Sequence, residues 1–337
     1  MSSSRPKVVR LGAPLPDPAP EHRMIEDAGG ELAMVEVGDQ ATTLDAMREA
    51  AVIINAGPVR FDADLIGKLE ACRAIIQNSV GYDRIDVPAA TAKGILVANL
   101  PDYCIEEVSD HAVALLLATA RRLPQMQRVV RDGLWGKPGV RAMDVIGRID
   151  RLSEQTLGII GFGNIGRLVA KKTRGMFLRI IAADPFVTPE AAALHGAELL
   201  PIEAVLRQSD YVTLHVLLTP ETRHLIDARR LSLMKPTARL VNTCRGPIID
   251  EGALLEVLRA GRLAGAGLDV FEEEPIGAEH PLVALDNVIA TPHLAVYSET
   301  AMEQWRLQPF QDAVRILRGQ APRGLVNREL KARLGLG

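Results

Sequence analysis

The stretch Leu157-Gly158-Ile159-Ile160-Gly161-Phe162-Gly163-Asn164-Ile165-Gly166 decides the fold. Leu157–Ile160 is a short apolar run of the kind that forms a strand buried on both faces. Gly161, Gly163 and Gly166 then spell G-x-G-x-x-G, and Arg167-Leu168-Val169-Ala170-Lys171-Lys172 continues in helix-compatible residues. Strand, glycine turn and helix in that order suit a dinucleotide pyrophosphate. Gly161 permits the tight turn, Gly163 lets the phosphates approach the backbone, and Gly166 lets the helix pack on the strand. The first helical N–H groups, at Asn164 and Ile165, face the phosphate charge. A second part stands in register with the first. Arg179–Ala183 reads as the next strand and ends at Asp184, 21 residues after Gly163. A carboxylate there accepts hydrogen bonds from the adenosine ribose hydroxyls and repels a 2′-phosphate, which selects NAD over NADP.

Working outward, 337 residues suggest about two domains with real cores. The net charge of −3 comes from acids and bases mixed along the chain, so no nucleic-acid partner is implied. Cys72, Cys104 and Cys244 have no metal-ligand spacing, and their odd number with no secretory signal implies reduced thiols in a cytoplasm. Met1–Lys7 has no apolar core of a signal peptide. The longest apolar run, Ala112–Ala120, is too short to span a bilayer and reads as a buried helix.

The region before residue 105 alternates strand and helix: strands at Lys7–Leu11, Glu31–Val37, Ala51–Asn55, Ala74–Gln77 and Gly94–Ala98, helices at Glu21–Ala28, Asp62–Leu69 and, from a threonine cap, Thr43–Ala50. Ile105–Arg122 reads as a long helix bridging two domains. Leu123–Arg151 reads as an irregular excursion in which Trp135 is a packing anchor. A second alternation starts at Gln155 and runs to a strand at Val288–Ala290. Met302–Arg318 is a helix long enough to return to the first domain. The expected architecture is α/β with two parallel sheets. A Rossmann domain over 105–299 is inserted into a split, flavodoxin-like substrate domain of 1–104 and 300–337.

Parallel α/β sheets bind ligands at the carboxyl ends of their strands, and four such places carry polar residues. In Leu240–Gly246 a buried strand runs into Asn242, Thr243, Cys244 and Arg245. An arginine there either satisfies loop carbonyls or holds a carboxylate and polarises the neighbouring carbonyl. Leu268–Pro275 contains Asp269 and three consecutive glutamates, either a solvated loop or a loop with one member turned inward. In Ala290–His293 a histidine ends a strand, 19 residues after Glu274. A carboxylate beside an imidazole favours the protonated ring, which suits an acid that protonates a carbonyl oxygen as hydride reaches its carbon. In Asn78–Asp83 a glycine exposes N–H groups that either cradle an anion or simply make a turn. His215, within Thr213–Pro220, is placed to line the cofactor crevice, and His111 has a weaker claim inside the long helix.

Together these blocks resemble, in order and along nearly the whole chain, the D-isomer-specific 2-hydroxyacid dehydrogenase family. Val80–Asp86 is similar to its substrate loop, Gly161–Gly166 with Asp184 to its NAD fingerprint, and Leu214–Pro220 to its cofactor-crevice segment. Asn242–Gly246, Leu268–Pro275 and Pro292-His293 resemble its three catalytic blocks. The resemblance implies that Arg245 holds the substrate carboxylate and carbonyl, His293 is the acid/base, and Glu274 supports it. Val80 and Gly81 would bind the carboxylate through their backbone. Asp269 and the Cys244 carbonyl would hold the nicotinamide carboxamide, with His215, Thr219 and Thr243 lining the NAD site. Substrate would be a small 2-oxo or 2-hydroxy acid, of glyoxylate, hydroxypyruvate, phosphoglycerate or similar type, and the 105–150 region would form a homodimer. Within the family, Pro292–Glu299 resembles the branch that includes the C-terminal-binding-protein corepressors, which carry Trp in place of Val296. That likeness raises the alternative of an NAD(H)-sensing binding protein with little turnover.

Overall fold

Short runs rich in buried aliphatic residues lie side by side in the middle of the chain because they are too apolar to leave either face in water. The structure, a computed structural model, describes residues 5–38 and 40–335. The chain divides into two compact units, one of Met1–Tyr103 with Ser298–Gly337 and one of Cys104–Tyr297. Of the N-terminal stretch Met1–Lys7, the first four residues lie outside the described ones.

The first unit holds five parallel strands: β1 (Lys7–Leu11), β2 (Glu31–Val35), β3 (Ala50–Asn55), β4 (Ala74–Gln77) and β5 (Leu96–Ala98), in the order β2-β1-β3-β4-β5. That is the flavodoxin-like order. Central β3 and β4 are buried at every position, as expected of strands covered by helices on both faces. One of those helices, Glu299–Leu317, is capped by the Ser298 side chain and packs Phe310, Ala313 and Ile316 against Val52, Ile54 and Ile76. Its Arg306 forms a two-pronged ion pair with the fully buried Glu21, at 2.5 and 3.0 Å.

The second unit holds β6 (Thr156–Ile160), β7 (Arg179–Ala183), β8 (Glu198–Leu199), β9 (Tyr211–Leu214), β10 (Arg239–Asn242), β11 (Gly265–Leu268) and β12 (Val288–Ala290). All are parallel, in the order β12-β11-β10-β9-β6-β7-β8. The direction of winding reverses between β6 and β9. At such a switch point a crevice opens beyond the strand ends.

The two parallel sheets and their strand orders match the fold class read from the sequence. Four local expectations change. The Ile105–Arg121 helix is a wall of the second unit, with Ala112, Leu115, Leu116 and Ala120 in one cluster with Leu157, Ile159 and Val241, rather than a bridge. Leu123–Arg131 is helical, with Pro124 near the helix start and Gln125 and Val129 turned inward. A proline at the start of a helix costs nothing, because its missing N–H would be unpaired there anyway. Trp135 is 78% exposed, so among the described residues it is not a buried anchor. The second helix runs Gln40–Arg48, so Thr43 lies inside it and is not its cap. Among the described residues no helix is long and apolar enough to cross a membrane.

Candidate active site

The glycine turn sits where β6 meets the helix Asn164–Lys172, at the switch point. Gly161 has φ +89°, and a Cβ there would lie 2.4 Å from the His215 carbonyl oxygen. A Cβ at Gly166 would lie 2.2 Å from the Gly161 carbonyl oxygen, so that glycine sets the close approach of helix and strand. A Cβ at Gly163 would have nothing of the protein within 4 Å. Internal packing does not demand glycine there; an approaching ligand would. No side chain caps the helix at Gly163, so its first N–H groups remain available for an anion. The Asp184 carboxylate accepts from the backbone N–H of Phe162 at 2.7 Å and of Phe186 at 2.8 Å. Those bonds aim it at the turn and leave lone pairs for a ribose.

Two buried polar atoms near the crevice have no partner among the described residues: Nδ1 of His215 and Oγ1 of Thr243. Buried polar groups are nearly always paired, so both mark a place where a polar ligand completes the structure. Together with the open Gly163 and the uncapped helix, they fit NAD. Thr219 is held in its loop by Thr222, whose Oγ1 accepts from the Thr219 N–H at 2.8 Å.

Burial pushes the His215 ring down to about 3, against about 6.5 in an unfolded chain. Below pH 6.5 the unfolded chain therefore binds a proton that the native ring refuses. Native stability should fall as pH drops from about 6.5 toward 3. Part of the residue reaches solvent, which trims the loss at pH 5 to about 1–2 kcal/mol. Urea unfolding at pH 7 and pH 5 checks this: His215→Gln should lose less stability between the two pH values than the parent protein.

The candidate reacting groups gather at the ends of β10, β11 and β12. Beyond β10, Asn242 folds the chain back on itself. Its Oδ1 accepts from the Cys244 N–H at 3.0 Å and its Nδ2 donates to the Arg245 carbonyl at 2.9 Å. Arg245 is thereby presented half-buried, with Nη1 donating to the Cys244 carbonyl at 2.8 Å. A Cβ at Gly246 would overlap the Phe271 carbonyl at 1.8 Å, so only glycine lets the Arg245 loop lie against the Glu274 loop.

The three glutamates then separate. Glu272 pairs with His224 at 2.5 Å, Glu273 is exposed, and Glu274 turns to His293. Glu274 Oε2 lies 2.6 Å from His293 Nδ1, while Oε1 accepts from the Phe271 N–H at 2.9 Å. Burial by itself would raise the Glu274 carboxyl. The bonds from His293 and Phe271 and the charge of Arg245 outweigh it, and the net shift is downward. The group is an anion facing an imidazole, and Nε2 is the ring nitrogen left to face a substrate.

His293 has φ +56°, a left-handed conformation that strains a non-glycine residue. Asp269, fully buried, holds it there. Its carbonyl accepts from the His293 N–H at 2.8 Å, and its carboxylate accepts from Thr291 Oγ1 at 2.6 Å, Leu294 N–H at 3.1 Å and Ala295 N–H at 2.9 Å. His111 completes the network, with Nε2 3.0 Å from Thr291 Oγ1 and 3.6 Å from Asp269 Oδ1. Beside the carboxamide role that the family resemblance implies for it, Asp269 thus shapes the His293 loop. His111 and Asn242 are the residues of this candidate site that the sequence alone undervalues. His111 lies one turn before Leu115 on the buried face of its helix, and a histidine on such a face is the available signal.

Val80 and Gly81 lie in the first unit, in a loop whose carbonyls accept three side-chain bonds. Asn99 Nδ2 donates to the Val80 carbonyl at 2.7 Å, Ser79 Oγ to the Gly81 carbonyl at 2.7 Å, and Trp305 Nε1 to the Asn78 carbonyl at 2.8 Å. All three use carbonyls, which leaves the Val80 and Gly81 N–H groups as donors the loop does not use. Among the described residues no cluster of His, Cys, Asp or Glu could hold a metal ion.

Comparison with known proteins agrees with this geometry. The family model for the NAD binding domain of D-isomer specific 2-hydroxyacid dehydrogenases matches residues 113–295. A glyoxylate reductase from Thermococcus onnurineus is 40% identical over 294 residues, which cover 85% of this chain and 86% of that one. A D-3-phosphoglycerate dehydrogenase from Methanocaldococcus jannaschii is 38% identical over 301 residues, 88% of this chain and 56% of that one. Among solved structures, the D-lactate dehydrogenase from Aquifex aeolicus complexed with NAD and lactic acid superimposes with a TM-score of 0.81. It is 28% identical and covers 93% of this chain and 96% of that one. The family model spans more than half the chain and a 40% identical relative runs along most of it; the chain belongs to the D-isomer specific 2-hydroxyacid dehydrogenases.

Proposed function

We propose that this NAD-dependent D-2-hydroxyacid dehydrogenase works on a small 2-oxo acid of the glyoxylate type. The observation that carries the reading is the His293–Glu274 pair at 2.6 Å beside Arg245, in a chain 40% identical to a glyoxylate reductase. NAD(H), when bound, supplies the hydride. Arg245 offers a planar fork that grips a carboxylate and leans on the neighbouring carbonyl oxygen. The Val80 and Gly81 N–H groups take up carboxylate charge. His293 gives the Nε2 proton to the carbonyl oxygen in reduction and takes it back in oxidation. Glu274 holds Nδ1, which fixes the ring's orientation and balances its charge when it is protonated.

The corepressor likeness of Pro292–Glu299 is not carried by the relatives described above, which are named as a reductase and dehydrogenases. Steady-state assay of glyoxylate, hydroxypyruvate, pyruvate and phosphohydroxypyruvate at fixed NADH tests the reading. Glyoxylate should give the highest or near-highest kcat/KM. Efficient turnover of the phosphorylated acid with none of glyoxylate would overturn it.

Asp184 supports NAD as the preferred nucleotide. Asp184→Asn keeps the shape and removes the charge, so the ratio of kcat/KM for NADH to that for NADPH should fall about tenfold or more, the scale of a lost charged hydrogen bond. An unchanged ratio would show that selectivity lies elsewhere. A homodimer is part of the same proposal. Leu123, Val130, Trp135 and Met143 are exposed apolar side chains within one stretch of the 105–150 region, and exposed apolar side chains of this kind suit a partner surface. Light scattering should give twice the mass of one chain.

A further inference from the structure

At the opposite end of the second sheet, where its strands begin, three arginines share one pocket. Arg239 is the first residue of β10, and at 4% exposure it is nearly sealed. Arg122 follows the long helix in a left-handed conformation, φ +51°. Arg148 stands at the rim. With Asp150, Thr237 and Asn287 they line a pocket of about 340 Å³.

The charges there do not balance. Asp150 is taken by Arg148, at 2.8 to 3.1 Å. Two further carboxylates of this end of the sheet are taken as well, Asp210 by Lys235 at 2.7 Å and Asp286 by Arg128 at 2.6 Å. Among the described residues no carboxylate pairs with Arg239. It makes a long bond of 3.4 Å to the Thr237 carbonyl, and its guanidinium stands against the Tyr211 side chain, 5.7 Å from the ring centre. A ring face attracts a cation but carries no net charge. Arg122 donates Nη1 to the Ile146 carbonyl at 2.9 Å, while its buried Nε has no acceptor. Burial, and then the charge of Arg239, lower the Arg122 guanidinium. Three guanidiniums against one carboxylate leave two positive charges around one concave space. Unpaired buried charge is strongly unfavourable, and planar forks with unused donors match tetrahedral and planar oxyanions.

We propose that Arg122, Arg148 and Arg239 form a binding site for a small multivalent oxyanion, a phosphate or a polycarboxylate, at the end of the sheet remote from the reaction. The catalytic groups follow the carboxyl end of β10 and this pocket surrounds its amino end, so the two sites are separate positions on one strand.

The test is calorimetric titration of inorganic phosphate and of citrate into the full chain with NADH saturating, so that the glycine turn is filled. One anion should bind per chain, and whichever of the two binds tighter identifies the source. Arg239→Met should weaken binding at least tenfold and Arg148→Ala at least threefold, the latter at an exposed position that does not threaten folding. Arg245→Met should leave the affinity unchanged. Absence of saturable binding of either anion would overturn the proposal. So would an unchanged affinity in Arg148→Ala or in folded Arg239→Met, or loss of binding in Arg245→Met, which would place the anion at the reacting end. An Arg239→Met protein that keeps its anion affinity but changes its oligomeric state would give the pocket to a partner chain and overturn it equally.

Discussion

His293→Ala lowers kcat about 10²-fold or more while NADH affinity stays within about twofold. The scale is that of losing a positioned general acid. Hydride delivery to a 2-oxo carbon builds negative charge on the oxygen, and the proposed reading has His293 Nε2 supply the proton that quenches it. The ring is held in place by Glu274 on Nδ1, at 2.6 Å, and by the Asp269 bonds that hold its backbone at φ +56°. Alanine removes the donor and keeps the loop, because every bond from Asp269 in that loop reaches backbone or Thr291. NADH binding, which the proposed reading assigns to the glycine turn and Asp184, should survive. Fluorescence titration of NADH measures one quantity and turnover the other. A near parental kcat would mean that another group donates the proton.

Arg245→Met lowers kcat/KM for the 2-oxo acid about 10²–10³-fold, chiefly through KM if the arginine acts only in binding and through kcat as well if it also polarises the carbonyl. The magnitude is that of losing a bidentate, charge-assisted contact to a carboxylate. Arg245→Lys should recover only part of the loss, since an ammonium carries the charge without the fork. Full recovery by lysine would show that charge alone matters. The loop itself should persist in both variants, because Asn242 builds it through the backbone of Cys244 and Arg245.

The sequence is most informative where one requirement fixes the residue type. At Gly161 and Gly166 any side chain would meet a carbonyl oxygen, and the buried strands need near-continuous aliphatic runs; both features are plain from residue order. The strand-end placement of Arg245, Glu274 and His293 follows from the rule that parallel sheets use their carboxyl ends. The choice of Glu274 over Glu272 needs the family resemblance, since adjacent glutamates are alike until the backbone turns one of them to His293. Relations between distant residues stay unreadable. Nothing local to His111 announces Thr291, 180 positions away. The Leu123–Arg131 helix is hidden by Pro124, which reads as a breaker but at a helix start is a good fit. Trp135 looks like an anchor because tryptophan usually seeks cover, yet its side chain stands exposed.

Hydride transfer by this chain between NAD(H) and a 2-oxo acid is measured most directly with NADH carrying deuterium at the transferable C4 position. The product must be chiral, so pyruvate or hydroxypyruvate serves as acceptor. The expected product is a 2-hydroxy acid of the D configuration with the label at C2, formed by the parent protein and about 10²-fold more slowly by His293→Ala. Tight NADH binding without labelled product from any 2-oxo acid would contradict hydride transfer as this chain's reaction.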